Sequence, residues 1–362
     1  MPTTADVLLE RTPAASLGDV REHFDGGRDY LAACTAGLVT RTTREVLMRD
    51  LDAATGGRVD VAAYSAAVER TRSHFARLVK TTADRVAIGS QTSVFAGLIA
   101  GSLPEGAEVL CVEGDFSSLL LPFAHSPRRL RIRTAPLAHL AEAVRPDTAI
   151  VVFSLVQSAT GEVADSAAIA AAAASAGART LCDATQATGW LPVEASAFDA
   201  VICHAYKWLC APRGVAFLTI SEEFAREIPP LFAGWYAGAD PWTTCYGHDV
   251  PLAADATRFD VSPAWQAFLG AEPAIALFAD ADRAAVHAHT TGLATRFREA
   301  MGLPLPRIPS AIVTWDDPEG CDLAHLATAG ITASGRAGRA RVAFHVFNDE
   351  HDVVRAAGAL GR

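Results

Sequence analysis

Between residues 85 and 220 the sequence alternates short β-branched runs with helix-forming stretches, and no other feature narrows the fold as far. RVAIGS (85–90), EVLCVEGD (108–115), TAIVVFSLV (148–156), RTLCDAT (179–185), FDAVICHA (198–205) and GVAFLTI (214–220) read as strands. TSVFAGLIAGSL (92–103) and DSAAIAAAAASAG (165–177) read as helices. Strands alternating with helices of this length predict an α/β fold, a mostly parallel central sheet with helices on both faces. The last two runs, joined by a short lysine-bearing connection, can include an antiparallel member. After about residue 240 the pattern changes. Residues 234–263, rich in Gly, Pro and aromatic residues, read as a long ordered loop. Residues 264–301 follow as one helix, 311–316 as a strand, 330–336 and 340–348 as a strand pair, with a terminal helix to complete a smaller α+β unit.

In an open parallel sheet, ligands sit outside the carboxyl ends of the strands, so those ends nominate the site. They deliver Asp183 with Thr185 and Gln186; His204, Tyr206 and Lys207; Glu113, Asp115 and Phe116; and Gln157 and Ser158. The first run ends in a Gly89, Ser90, Gln91, Thr92 turn that opens a helix. Lys207 is one of 2 lysines against 29 arginines. An amine that can lose its proton is the one property arginine cannot supply.

The set suits a phosphorylated aromatic aldehyde. Ser90, Gln91 and Thr92, at a helix N-terminus, suit the phosphate. A buried Lys207 of lowered pKa suits a Schiff base with the aldehyde. Asp183 suits a pyridine nitrogen, which it would keep protonated so that the ring draws electrons. Phe116 is placed to stack on that ring.

Composition removes other classes. A net charge of −10 argues against nucleic acid or an anionic membrane as partner. No apolar run is long enough to span a bilayer, and the acidic start does not read as a secretion signal. The 7 cysteines are scattered without a C-x-x-C pair, which predicts neither a metal site nor a disulfide framework and points to a reducing cytoplasm. No G-x-G-x-x-G follows the first strand, against a dinucleotide-binding oxidoreductase.

The stretch CDATQATGWLPVEASAFDAVICHAYKWLCAPRGVAFL (182–218) resembles the signature of the class V aminotransferase superfamily, pyridoxal-phosphate enzymes of fold type I that include cysteine desulfurases, kynureninases and isopenicillin N epimerase-like proteins. Asp183, Gln186 and Lys207 match it in order and spacing. The resemblance implies pyridoxal 5'-phosphate as cofactor, bound through Lys207. Tyr206 is similar to a kynureninase tyrosine that helps hold the phosphate, and His204 takes a nearby position that is usually Ser or Cys. EGDFSS (113–118) resembles the segment carrying the ring-stacking residue, here Phe116. SLVQSATGE (154–162) resembles H-V-x-N-x-T-G, with Ser158 where an asparagine often contacts the cofactor's phenolic oxygen.

DYLAACTAGLVT (29–40) resembles the family's opening, and RARVAFHVFNDEHDV (339–353) its ending. Arg341 then takes the place of the arginine that pairs with the substrate's α-carboxylate. Trp235 resembles a residue that approaches the site from a loop, and Ser262 falls where related dimers send a residue to the neighbour's phosphate. By the same resemblance we expect an N-terminal segment (1–30) packing on the small domain, a large cofactor-binding domain (31–245), and a linker with a small C-terminal domain (246–362). A homodimer with an amino-acid substrate is implied as well.

The cofactor leaves the reaction open. Cysteine desulfurases carry a nucleophilic cysteine shortly before the carboxylate-binding arginine, whereas the segment here, GITASGRAGRAR (330–341), has none. The kynureninase G-W-W-G-H segment is GWYAG here, without its histidine. The expectation is β-elimination from an S-substituted cysteine by a C-S lyase. Class V transamination and amino-acid epimerisation are the alternatives. A binding or regulatory protein that keeps the fold without turnover is the reading from another class.

Overall fold

The computed structural model describes residues 14–362. Its centre is a seven-stranded sheet of β1 (Val86–Gly89), β2 (Glu108–Val112), β3 (Arg131–Ala135), β4 (Thr148–Ser154), β5 (Arg179–Asp183), β6 (Ala200–His204) and β7 (Ala216–Ile220). The strand order is β1-β7-β6-β5-β4-β2-β3. All neighbours are parallel except those of β7, which runs antiparallel to both β6 and β1. β1 therefore ends on the same edge as β2, β3, β4, β5 and β6, and six strand ends lie along it.

Both sheet faces are covered, and the strand side chains divide between two cores. Val86, Ile88, Leu110 and Val112 point into one with Phe75, Ile169 and Phe268. Ala87, Val109 and Cys111 point into the other with Phe95, Ile99 and Phe123. This is the burial on both faces that continuous apolar strands require. The helix Ser166–Ala176 starts where Asp165 accepts a hydrogen bond from the Ala168 N–H and stops at Gly177, whose φ of 72° suits glycine.

A smaller antiparallel sheet of β8 (Ile312–Asp316), β9 (Ser334–Arg336) and β10 (Arg339–Ala343), in the order β8-β10-β9, carries the C-terminal part. Only Ala337 and Gly338, with φ of 50° and 72°, join β9 to β10, the signature of a tight hairpin turn.

Two elements differ from the sequence reading. The stretch 264–301 is two helices, Trp265–Asp280 and Arg283–Ala300. At the break the Ala15 N–H donates to the Asp280 carbonyl, the Asp282 N–H donates to Ala15, and the Asp282 side chain caps the second helix. β3 is an additional strand: its run RIRTA is an arginine-rich sheet edge, mostly exposed.

The helix Val61–Leu78 is tied to β1 through a buried ion pair. Arg72 Nη2 lies 2.7 Å from Asp260 Oδ2, with the two side chains 2% and 1% exposed. Arg72 also donates to the Val86 carbonyl, and Asp260 accepts the Ile88 N–H. The Val261 N–H then donates to the Ile88 carbonyl, which sets Ser262 beside the carboxyl end of β1.

Candidate active site

Lys207 lies in the turn after β6, 5% exposed. Burial is the main force on its amine, and with Arg341 and Arg336 nearby it lowers the pKa to about 8 against the opposing pull of Asp183. The turn is held from the N-terminal segment, where the Gly37 N–H donates to the Tyr206 carbonyl. A Cβ at Gly37 would stand 2.1 Å from the Lys207 carbonyl oxygen, so only glycine permits this approach.

Around the lysine, the strand ends bring together most of the residues expected from the sequence. The Phe116 ring centroid is 5.4 Å from Lys207 Nζ, and the ring is 41% exposed, so its face is free to take a flat ligand. It is held by Asp115, which accepts from the Phe116 N–H and from the Ser154 N–H and hydroxyl at the end of β4. Asp183, at the end of β5, is buried, and burial pushes its carboxyl up while hydrogen bonds from Thr185 oppose that. Gln91 caps the helix Thr92–Ser102 without a side-chain hydrogen bond, and no side chain covers the first-turn N–H groups from that position. Thr92 is buried at that end, with Ser90 and Gln91 preceding it.

His204 closes β6. Its N–H donates to Thr185 Oγ1, and its ring meets the Tyr206 ring edge-on at 4.4 Å. Its Nε2 is buried with no hydrogen-bond partner among the described residues, and burial, then Lys207 and Arg213, push its pKa down to about 4. A buried nitrogen without a partner is costly unless a ligand supplies one. Arg213 stacks over the Tyr206 ring at 4.7 Å. The neutral His204 ring, the Tyr206 hydroxyl and the Arg213 guanidinium thus line one side of the pocket with hydrogen-bond donors and one fixed positive charge, which fits a phosphate. The residues present therefore suit pyridoxal 5'-phosphate: an amine for the aldehyde, an acid for the ring nitrogen, and an unpaired donor set for the phosphate.

Arg341, on β10, is 1% exposed. It donates to neutral oxygens, Nε to Ser334 Oγ at 3.1 Å, Nη1 to the Ser158 carbonyl and to Ser158 Oγ at 3.1 Å, and Nη2 to Thr35 Oγ1 at 2.9 Å, with the Cys34 side chain beside it. A guanidinium buried among hydroxyls keeps its charge available for an anion. Gln186 has protein partners throughout: Nε2 donates to the Cys34 carbonyl and Ser158 Oγ, and Oε1 accepts from Trp208 Nε1. Ser158 links this amide to Arg341. Trp235 and Ser262 pair with each other, Nε1 to Oγ at 3.3 Å, and the indole packs on Tyr236 and Trp242. Thr35, Gly37, Arg213, Ser334 and Arg336 were not singled out from the sequence. Thr35 and Gly37 lie inside the 29–40 segment, but nothing there announces their contacts.

The sequence profile of the family Aminotransferase class-V matches residues 43–308. The chain is 29% identical to a kynureninase of Deinococcus radiodurans over 262 residues, 69% of this chain and 63% of that protein. It is 28% identical to isopenicillin N epimerase of Streptomyces clavuligerus over 46% of each chain. A kynureninase of Xanthomonas oryzae pv. oryzae is 27% identical over 99% of this chain and 90% of its own length. Alignment thus spans less than two thirds of the first two relatives. Among solved structures, the cysteine desulfurase CsdA of Escherichia coli superposes with a TM-score of 0.82 at 18% identity, covering 96% of this chain and 98% of that one. The cystine C-S lyase C-DES superposes with a TM-score of 0.79 at 19% identity, covering 92% and 97%.

Proposed function

Because the chain belongs to the class V aminotransferase family and is a pyridoxal-phosphate-dependent enzyme, we propose that it cleaves the Cβ–S bond of an S-substituted cysteine by β-elimination. The observation that carries the reading is Lys207, a buried amine with a pKa lowered to about 8, over the Phe116 ring and within the field of the Asp183 carboxylate at the strand ends. Bound there, the cofactor draws electrons from the substrate's Cα and so makes its bonds labile. Lys207, Asp183, Ser90, Gln91, Thr92, Phe116, His204 and Tyr206 are the residues that would hold it, and Arg213 joins them on the phosphate side.

The chain's own work follows from their positions. Arg341 grips the α-carboxylate from its hydroxyl cage and fixes which Cα bond faces the lysine. Lys207, neutral in a large fraction of molecules near pH 8, takes the Cα proton. Loss of that proton and expulsion of the sulfur as thiolate leave the elements of pyruvate and ammonia after addition of water. Burial of Asp183 keeps its charge unscreened toward the ring nitrogen. Gln186 donates both amide hydrogens to protein oxygens and so braces the lysine turn, whereas Ser158 accepts from Gln186 and Arg341 and keeps its own hydroxyl proton free to donate.

Elimination is favoured over sulfur transfer to the protein because the two-residue turn between β9 and β10 has no room for a cysteine-bearing loop. We place the enzyme in the cytoplasm as a homodimer. Support for the dimer comes from Leu231, Phe232, Trp242 and Tyr246, large exposed side chains of the stretch 231–246, of which Trp242 packs on Trp235. Among the described residues no helix is long and apolar enough to cross a membrane.

The test is to incubate the purified holoenzyme with S-methyl-L-cysteine and to assay pyruvate and free thiol together. Equal, catalytic amounts of both support elimination. Stoichiometric pyridoxamine phosphate without thiol would assign transamination, and inversion at Cα without either product would assign epimerisation.

A further inference from the structure

The β9–β10 hairpin carries three arginines that face different surroundings. Arg339 is neutralised by Asp316, 2.5 Å away. Arg341 is buried in its hydroxyl cage. Arg336 is exposed at the rim and donates only to neutral oxygens, the Gly335 carbonyl at 2.6 Å and Thr35 Oγ1 at 3.4 Å. Arg336 and Arg341 thus converge on one threonine hydroxyl from the rim and from the floor, with no carboxylate between them. Two guanidinium groups directed at a single neutral oxygen repel each other, and an anion placed there removes the repulsion. The charge of Arg336 is felt at both Lys207 and Arg341, so it belongs to the same electrostatic pocket.

Every other cation of the pocket has an anion assigned to it. Arg213 stands at the phosphate, Lys207 opposes Asp183, and Arg341 takes the α-carboxylate. Arg336 has none.

We propose that Arg336 is a second anion-binding group of the substrate pocket, and that the preferred substrate carries an acidic group on its side chain in addition to its α-carboxylate. The proposal rests on the reading of the Lys207 pocket as an amino-acid site, but not on which bond is broken there. Applied to an S-substituted cysteine, it selects S-substituents that end in a carboxylate or another anion.

An isosteric pair of probes isolates the charge: S-carboxymethyl-L-cysteine and its neutral amide, S-carbamoylmethyl-L-cysteine. Rapid mixing of either with holoenzyme, followed through the cofactor's visible absorbance before turnover, gives a dissociation constant for each. The acid is expected to bind about five- to tenfold more tightly than the amide, the range of one charge-assisted hydrogen bond at a partly solvated site. Arg336→Gln should bring the ratio to within about twofold, and Arg336→Lys should restore part of it. A ratio near one in the unaltered enzyme overturns the proposal. So does a ratio that survives Arg336→Gln with both probes weakened alike, because Arg336 would then hold the α-carboxylate common to the two. Absorbance that responds to neither probe overturns the amino-acid reading of the pocket itself, and the proposal with it.

Discussion

The protein buries charge in two places and treats it in opposite ways. In the latch between the helix Val61–Leu78 and β1, Arg72 and Asp260 face each other at 2.7 Å, and their remaining hydrogen bonds go to Glu69, the Val86 carbonyl and the Ile88 N–H. In the pocket, Lys207 and Arg341 are as deeply buried, yet Arg341 has only neutral partners and the His204 Nε2 has none. Desolvation costs of the same kind are offset inside the fold in the first case and left for a ligand in the second. The comparison separates charge that holds the protein together from charge kept for chemistry.

The largest effect expected from breaking it lies in the pocket. Lys207→Arg keeps a positive charge but cannot lose its proton, and turnover should fall on the order of 10² to 10⁴-fold. Borohydride treatment and peptide mapping check the cause: cofactor should be fixed on Lys207 in the unaltered protein and nowhere in the variant. The other lysine, Lys80, is exposed and paired with Glu194, so labelling there would refute the assignment.

Next comes the latch. Arg72→Met strands Asp260 at 1% exposure and should cost about 3–5 kcal/mol, read as a lower denaturant midpoint at unchanged slope. Changing both members, Arg72→Met with Asp260→Leu, should recover much of that loss. A double variant no better than the single one would mean that Asp260 acts mainly through the Ile88 N–H.

How far the sequence discloses these two regions differs, and for a physical reason. Strand ends are local features: once the alternation of strands and helices implies a parallel sheet, Asp183, His204, Lys207 and Phe116 must meet at one edge, whatever the loops do. β3 is missed because an edge strand needs no apolar pattern, and the break at Ala281 because its cause, Ala15, lies far away in the chain. The cage of Arg341 is equally non-local. Thr35 and Ser158 reach it across 306 and 183 residues of sequence, and a threonine or serine in a loop carries no mark of its partner. The latch is hidden in the same way, since nothing around Arg72 distinguishes it from the chain's many other arginines.

Smaller effects sharpen the contrast at the phosphate side. His204→Phe keeps the ring's packing on Tyr206 and removes the unpartnered nitrogen. If that nitrogen donates to the phosphate, the variant loses a hydrogen bond to a charged group, about 1.5–3 kcal/mol, or about tenfold or more in cofactor affinity. Equilibrium dialysis should show the difference with pyridoxal phosphate and not with pyridoxal, which lacks the phosphate. Equal losses with both would place His204 among the structural groups, with the latch.

The smallest effect is one of pH and concerns the lysine alone. Recombination of apoprotein with the cofactor needs the neutral amine, and the Lys207 pKa is lowered from 10.5 to about 8, chiefly by burial. Lowering an amine's pKa extends its neutral form to lower pH. The recombination rate should therefore be flat above about pH 9, half-maximal near 8 and about tenfold lower for each unit below that. An exposed lysine would instead still be gaining rate at pH 10. Arg336→Gln and Arg341→Gln each remove a positive charge that lowers this pKa, so both should move the midpoint upward. The rim residue, with solvent to screen it, should move it less than the buried one. A midpoint indifferent to both would mean that burial alone sets the amine, and that the unpaired arginines act only on the substrate.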